Sequence, residues 1–392
     1  MPPRASLGSF LANARAALTA PAAQRANPLT FVVGNESADL DSLCSTVIYA
    51  YLRTTTPPNT TLHIPLSNLP RADLALRPEL TAALAHAHIK PSDLLTLDEL
   101  PASLDPANTR WFLVDHNALT GTLSERGFDK SVIGCIDHHT DENKVPLQTG
   151  DEPRIIEKTG SCASLLTEYF RPTWENTVKD ESDAHIARLA LAPILADTAN
   201  LKAADRTTPK DVEAVEFLGT LAGEGFSPDA LFNELNENKE NLSALSLRDI
   251  FRKDYKQWRE PSGLLGTSAS VRGLDFLLNE KAGGDPAVLA DEFQSWATEK
   301  GLDVAAIMTS VHDEEGFRRE LLVWALNENG IKAAEEFLRD NESELQLEPW
   351  GEGQLDGKGG TWRRAWRQGN VLHSRKRVAP MLRESLQGQA RL

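Results

Sequence analysis

Short apolar runs alternate with segments of helical period through the first half of the chain. TFVVG (30–34), LHIPL (62–66), DLLTL (93–97), RWFLVDH (110–116) and VIGCIDHH (132–139) read as strands that end in polar residues. Positions 41–53 read as the helix after the first strand, and RADLALRPELTAALAHAH (71–88) as a helix that Pro78 breaks. Leu7, Phe10, Leu11 and Leu18 fall on one side of an N-terminal amphipathic helix. Strands alternating with helices predict a mostly parallel sheet covered on both faces. Ligands of such sheets sit beyond the C-terminal ends of the strands.

Helical patterns continue at 161–171 and 183–197 and on to about 241. The polar, helix-rich stretch LAGEGFSPDALFNELNENKENLS closes this region, so two domains are expected, 1–240 and 241–392. In the second, LLGTSASV (264–271), VAAIMTSV (304–311) and RELLVWAL (319–326) are strand candidates. Helical stretches at 285–300, 331–340 and 378–388 lie between or after them, and PWGEGQLDGKGG (349–360) reads as a glycine-rich loop. The expected fold class is α/β: an N-terminal, mostly parallel sheet with flanking helices, and a smaller C-terminal α/β domain. The cleft between the two is the expected place of the active site.

Composition narrows the class. Of 392 residues, 41% are apolar and 25% charged, ordinary globular usage. No run of about 18 uncharged apolar residues suggests a membrane span. The N-terminus lacks the apolar core of a secretory signal. Its Arg/Ala-rich stretch, acid-free to Gln24, leaves a mitochondrial matrix address open beside the expected cytoplasmic location. Cys44, Cys135 and Cys162 are odd in number and widely spaced, which argues against a disulfide framework and for packing roles in a reducing compartment. A net charge of −16 opposes a nucleic-acid coat. Yet positions 361–383 carry Arg363, Arg364, Arg367, Arg375, Lys376, Arg377 and Arg383 with no acid. Such a stretch is either a solvated basic face or a set of cations for a specific anion.

Four segments place acids or histidines just after apolar runs: Asn35 to Ser42, Val114-Asp115-His116-Asn117, Ile136-Asp137-His138-His139, and Ile194 to Asn200 around Asp197. Each has an ordinary explanation alone. Asp39 suits a helix N-cap, Asp115 a turn, and Asp137 to His139 a surface cluster. Asp197 near a helix C-terminus opposes the dipole unless a cation is near. Gathered at one sheet edge, Asp39, Asp41, Asp115, Asp137 and Asp197 would repel one another unless protonated or neutralised. Divalent ions resolve that repulsion. Carboxylates and imidazoles without thiolates suit Mg²⁺, Mn²⁺ or Co²⁺. Two ions about 3.5–4 Å apart would make a phosphoryl-hydrolysis site.

These motifs in this order resemble the DHH phosphoesterase superfamily, named for the triplet that is Asp137-His138-His139 here. GNESADLDS, EPRIIEKTGSCAS, RKDYKQW and SRKRVAPML resemble fungal cytosolic exopolyphosphatases within it, and the resemblance runs from about 30 to 388. It implies Asp39, Asp41, Asp115, His138 and Asp197 as ligands of two divalent ions, with Asp115 and Asp197 bridging. His139 would face the phosphate. The C-terminal domain would be of the DHHA2 type, with Arg375, Lys376 and Lys256 binding substrate phosphates. Asp115, His139, Arg375 and Lys376 would be the catalytic set, and Asn35 and His116 would line the substrate site. Attack by a metal-bridging hydroxide on the terminal phosphorus of polyphosphate would release orthophosphate.

Two positions depart from neighbouring branches. Related family II pyrophosphatases carry His where this chain has Asn35, so the first metal site becomes oxygen-rich and should favour Mg²⁺. His116 stands where the fungal pattern has Asn, and it either touches phosphate or packs at the strand end. Ser161 either opens a helix whose amides face phosphate or is an ordinary cap. Gly351 to Lys358 misses the phosphate-loop spacing by one residue. No glycine-rich His motif of the DHH nucleases follows Gly283-Gly284. The expectation is therefore a monomeric exopolyphosphatase acting on inorganic polyphosphate, with phosphate as product and no nucleic-acid or membrane partner. A pyrophosphatase, a prune-like nucleotide phosphodiesterase and a non-enzymatic binding module are the alternatives.

Overall fold

Leu29–Val33 (β1) is buried at all five positions, the pattern of a strand covered on both faces. Around it the computed structural model, which describes residues 5–56, 61–175, 180–313, 316–357 and 362–387, builds one of two units, Met1–Lys239 and Glu240–Leu392. In chain order the first unit runs α1 (Leu7–Thr19), β1, α2 (Leu40–Thr55), β2 (His63–Ser67), α3 (Pro78–His86), β3 (Leu95–Thr96), β4 (Thr109–Val114) and α4 (Gly121–Glu125). It continues with β5 (Val132–Asp137), β6 (Arg154–Ile156), α5 (Cys162–Glu175), α6 (Glu181–Asp197), α7 (Pro209–Leu221) and α8 (Pro228–Glu240).

The six strands are all parallel, in the order β3-β2-β1-β4-β5-β6. This is a doubly wound order whose direction switches between β1 and β4, where a crevice opens beyond the strand ends. Asn35 follows β1 and Asp115 follows β4, so both sit at that switch point. Helix α1 buries Leu7, Phe10, Leu11, Ala14 and Leu18, the apolar stripe read from its spacing. Pro78 divides a 3₁₀ segment, Arg71–Leu76, from α3, where it occupies the first turn and its missing N–H costs nothing. β3 shrinks to two residues, and β6, three half-buried residues, carries too little apolar signal to be read from sequence.

The second unit contains α9 (Leu247–Lys253), β7 (Tyr255–Glu260), β8 (Gly263–Ser270), a single turn α10 (Leu274–Phe276), α11 (Pro286–Glu299), β9 (Val304–Thr309) and β10 (Val311–Asp313). β11 (Gly316–Ala325), α12 (Glu328–Leu345), β12 (Leu347–Pro349), β13 (Trp362–Gln368) and α13 (Arg375–Leu386) complete it. Its sheet is mixed, in the order β12-β13-β11-β9-β8-β7 with β10 paired to β11; β8 and β9 are parallel. β7 and β13 are strands that polarity hides. In β13 the guanidinium of Arg363 lies 4.4 Å from the Trp324 ring and that of Arg364 5.8 Å from Trp362. These two arginines cover aromatic surface. Of the expected glycine-rich loop 349–360, residues 358–360 lie outside the described residues; a 3₁₀ turn, Trp350–Gly353, opens it. Among the described residues no helix is long and apolar enough to cross a membrane.

Candidate metal centre

The site is assembled from four chain segments that meet at the switch point. The first is the turn between β1 and α2. Gly34 is needed there, because a Cβ would lie 2.7 Å from Ser42 Cβ and 2.9 Å from the Ser42 carbonyl oxygen. That close approach brings the first turn of α2 over the end of β1. Ala38 adopts the left-handed conformation with φ 43°. The buried guanidinium of Arg77 donates to the carbonyls of Ser37 and Ala38 and fixes the turn. Nothing in the sequence pattern singles out Arg77, since its carbonyl partners lie 39 and 40 positions away.

Asp39 is the N-cap of α2, its Oδ1 accepting from the Ser42 amide at 3.0 Å. Asp41, 3% exposed, accepts from the amides of Cys162 at 2.6 Å and Ala163 at 3.2 Å, and from Ser45 Oγ at 3.0 Å. The first amides of α5 therefore hold a carboxylate of the protein itself. Of the two readings of Ser161, this argues against the one in which the helix offers those amides to phosphate.

Asp115 lies at the centre. It is 2% exposed and has φ 60°, a left-handed conformation uncommon for a non-glycine residue. Its Oδ2 accepts from Asn35 Nδ2 at 2.8 Å and Ser42 Oγ at 2.6 Å, and its Oδ1 lies 3.1 Å from His138 Nε2. Asn35 turns both ends of its amide to the protein, since its Oδ1 accepts from the Ser37 amide at 2.9 Å. Burial, with Asp39 and Asp41 nearby, raises the Asp115 carboxyl to about 7 despite the His138 hydrogen bond. Burial works against a charged His138, but the Asp115 hydrogen bond and the charges of Asp41 and Asp115 outweigh it and lift that imidazole to about 10. His138 Nδ1 meets the Thr159 carbonyl at 3.0 Å, which fixes its ring.

The DHH triplet begins with Asp137, the last residue of β5. Asp137 is fully buried and accepts from the backbone amide and Nδ1 of His139, at 3.2 and 2.8 Å, and from Asn117 Nδ2. Burial would raise its carboxyl, but the His139 bonds prevail and hold it below its ordinary value. His139 is half-exposed, with Nδ1 3.8 Å from Asp115 Oδ1. Asp115, His138 and His139 can offer one ligand atom each within 4.8 Å of one another. Asp197 ends α6; burial first, then the charges of Asp41 and Asp39, push its carboxyl well above its ordinary value, while Lys239 opposes. Burial likewise raises Asp41, joined by Asp39 and opposed by His138.

His116 Nδ1 lies 2.9 Å from the Val114 carbonyl, and its Nε2 is buried with no partner among the described residues. Burial lowers the pKa of this imidazole. One ring nitrogen is thus held at the strand end. Cys44, Cys135 and Cys162 are buried free thiols. Burial pushes Cys44 and Cys162 well above the ordinary thiol value, which makes them inert. In the second unit, Lys256 is exposed on β7 and Lys376 exposed at the start of α13. Arg375 donates to the Asp254 carbonyl at 2.8 Å and Asp254 Oδ1 at 2.7 Å, so its guanidinium already grips a carboxylate.

Carboxylates and two imidazoles gathered at the switch point of a doubly wound sheet are a donor set of the kind metal-assisted hydrolases use. The donor set fits divalent ions: oxygen and imidazole ligands, no thiolate, and several acids whose burial drives them toward protonation. The family comparisons are specific about the class. The DHH family, N-terminal domain, matches residues 30–194, and the DHHA2 domain matches residues 233–385. A Schizosaccharomyces pombe protein named "Putative exopolyphosphatase" is 35% identical over 97% of this chain and 98% of its own length. The chain belongs to the DHH phosphoesterase family and is a phosphohydrolase of the type that joins DHH and DHHA2 domains. The human protein named exopolyphosphatase PRUNE1 is 28% identical over 96% of this chain and 79% of its own. The crystal structure of a Methanococcus jannaschii "putative family II inorganic pyrophosphatase" shares the fold, with a TM-score of 0.55 and 21% identity over 92% of this chain and all of that one.

Proposed function

We propose that the chain removes the terminal phosphate of inorganic polyphosphate as orthophosphate, with two divalent ions, magnesium foremost, held by Asp39, Asp41, Asp115, His138 and Asp197. The observation that carries the metal reading is the gathering of Asp115, His138 and His139, which can each offer a ligand atom within 4.8 Å of the others, with Asp41 and Asp197, both raised by burial, nearby. Bound there, divalent ions supply charge for the phosphoryl oxygens and a water activated near neutral pH.

The chain's own residues do the rest. Asn35 and Ser42 orient Asp115 through its Oδ2. Asp137 fixes His139 through Nδ1, which leaves Nε2 as the ring nitrogen for a phosphate oxygen. Arg375, Lys376 and Lys256 are the substrate cations of the second unit. Arg375 is held by Asp254 through its carbonyl and one carboxylate oxygen, and a phosphate would compete for those donors. Asn35 in place of a histidine keeps this part of the site free of a nitrogen ligand, because an amide nitrogen has no lone pair to offer. That favours the exopolyphosphatase reading over a pyrophosphatase, and the names of two relatives aligned over nearly the whole chain support it.

The test is phosphate release with Mg²⁺ from long-chain polyphosphate, pyrophosphate and a short oligonucleotide in parallel. Rapid release from polyphosphate, with little from the other two, is expected. Preference for pyrophosphate or the nucleotide would overturn the substrate and keep the metal site.

A further inference from the structure

Asp211 is a buried carboxylate that the proposed chemistry does not use. It lies in the first turn of α7 and is 0% exposed. Among the described residues no Arg, Lys or His forms an ion pair with it. A buried unpaired charge is costly unless hydrogen bonds surround it, and here five do. Oδ2 accepts from the Gly160 amide at 2.9 Å, the Thr208 amide at 2.7 Å and Thr208 Oγ1 at 2.8 Å. Oδ1 accepts from Ser164 Oγ at 2.6 Å and the Ser161 amide at 3.3 Å.

The Thr208 bonds are an ordinary capping box. The other three reach across to the segment that opens α5. Along that segment, four consecutive amides are taken by two buried acids: Gly160 and Ser161 by Asp211, Cys162 and Ala163 by Asp41. One residue earlier, the Thr159 carbonyl holds His138. Gly160 itself packs on Thr198, next to Asp197; a Cβ there would lie 2.6 Å from Thr198 Cγ2 and 2.9 Å from Asp211 Oδ2. Residues 159–163 thus touch the supports of three proposed ligands from different parts of the chain.

We infer that Asp211 is a positioning residue of the metal centre, acting through residues 159–163 to place Asp41 and His138 for the ions. The inference rests on the metal reading above. Removing the acceptor lets the start of α5 shift, and ligands displaced by less than an ångström bind metal more weakly. Outer-shell partners of ligands typically change affinity 10–100-fold.

The experiment is calorimetric titration of the metal-free full-length chain with Mn²⁺, with thermal unfolding recorded beside it. Asp211→Asn should weaken binding at least about tenfold, with turnover on polyphosphate at saturating metal falling much less than at limiting metal. Thr208→Ala removes the side-chain cap and the Oγ1 bond to Asp211 but keeps the three bonds of Asp211 to Gly160, Ser161 and Ser164; it should lower the unfolding temperature and leave Mn²⁺ affinity within about twofold. Ser164→Ala, a milder cut of the same link, should weaken binding about threefold and decides the matter if Asp211→Asn does not fold. Unchanged affinity in Asp211→Asn or in Ser164→Ala would overturn the inference. So would an equal loss in Thr208→Ala, which would mark the effect as general destabilisation. A wild-type chain that binds no Mn²⁺ would overturn the metal reading itself.

Discussion

Glu152 and Asp115 are both largely buried acids of the first unit, and they settle their charge in opposite ways. Glu152 accepts from Tyr49 Oη, from Arg53 Nε at 3.1 Å and from a second Arg53 nitrogen at 3.2 Å; His63 Nε2 stands 3.4 Å away. Burial would raise its carboxyl, but those bonds and the arginine charge bring it down to about 2. Asp115 is as deeply set, and burial, joined by the charges of Asp39 and Asp41, raises it to about 7 although His138 opposes. The first cluster is electrically complete within the chain. The second holds more acids than His138 alone balances, and the metal reading proposed above supplies the remaining positive charge from outside. That difference separates an acid that holds α2 to the segment before β6 from one that we propose holds a metal ion.

The largest effect expected from breaking the second cluster is on turnover. Asp115→Asn removes the central acid, and phosphate release at saturating Mg²⁺ should fall by roughly a thousandfold, as loss of a principal catalytic electrostatic group commonly does. A near wild-type rate would remove Asp115 from the metal site. The same cut at the other cluster should leave metal binding alone. Glu152→Gln is expected to cost about 2 kcal/mol of stability, from a carboxyl lowered to about 2 and partly replaced by the amide. That is about 4–8 °C in the unfolding temperature of a unit this size, with Mn²⁺ affinity unchanged.

Acidity distinguishes the two clusters in the metal-free protein. Asp115 is raised, so its contribution to stability is present below its unfolded pKa and is lost as pH rises through about 7. Glu152 is lowered, so its contribution is present above its unfolded pKa and is lost as pH falls toward 2. The unfolding temperature of metal-free protein should therefore drop by at least about 3 °C between pH 5 and pH 8, and saturating Mg²⁺ should abolish the drop. A flat profile without metal would contradict the uncompensated cluster. The smallest effect is expected from Ser42→Ala, which removes one bond to Asp115 Oδ2. Metal affinity should weaken by about tenfold, with turnover at saturating metal within about threefold of wild type.

Much of the catalytic unit was legible in the chain before any tertiary structure. Strands covered on both faces announce themselves as apolar runs, so β1, β2, β4 and β5 were found with their polar ends, and the break at Pro78 was placed. The four acid-bearing segments were marked because each follows such a run. What stayed hidden has a common physical cause. β6 is only three half-buried residues and β7 and β13 are largely polar, and their pairing is fixed by neighbours elsewhere in the chain. For Arg363 and Arg364 the sequence leaves a solvated face and an anion site both open, because their Trp partners are set only by the fold.

The sequence by itself determined the alternation of strand and helix, the motifs, and an acid set that needs a counter-charge. Only the tertiary structure decided which donor each acid meets. It gave Asp41 to the amides of Cys162 and Ala163, 121 and 122 positions on, Asp115 to Asn35 and Ser42, and Asp211 to Gly160 and Ser161. Periodicity and local propensity report a residue's own element. A hydrogen bond between the ends of elements far apart in the chain depends on how the sheet orders its strands, and no local pattern carries that information.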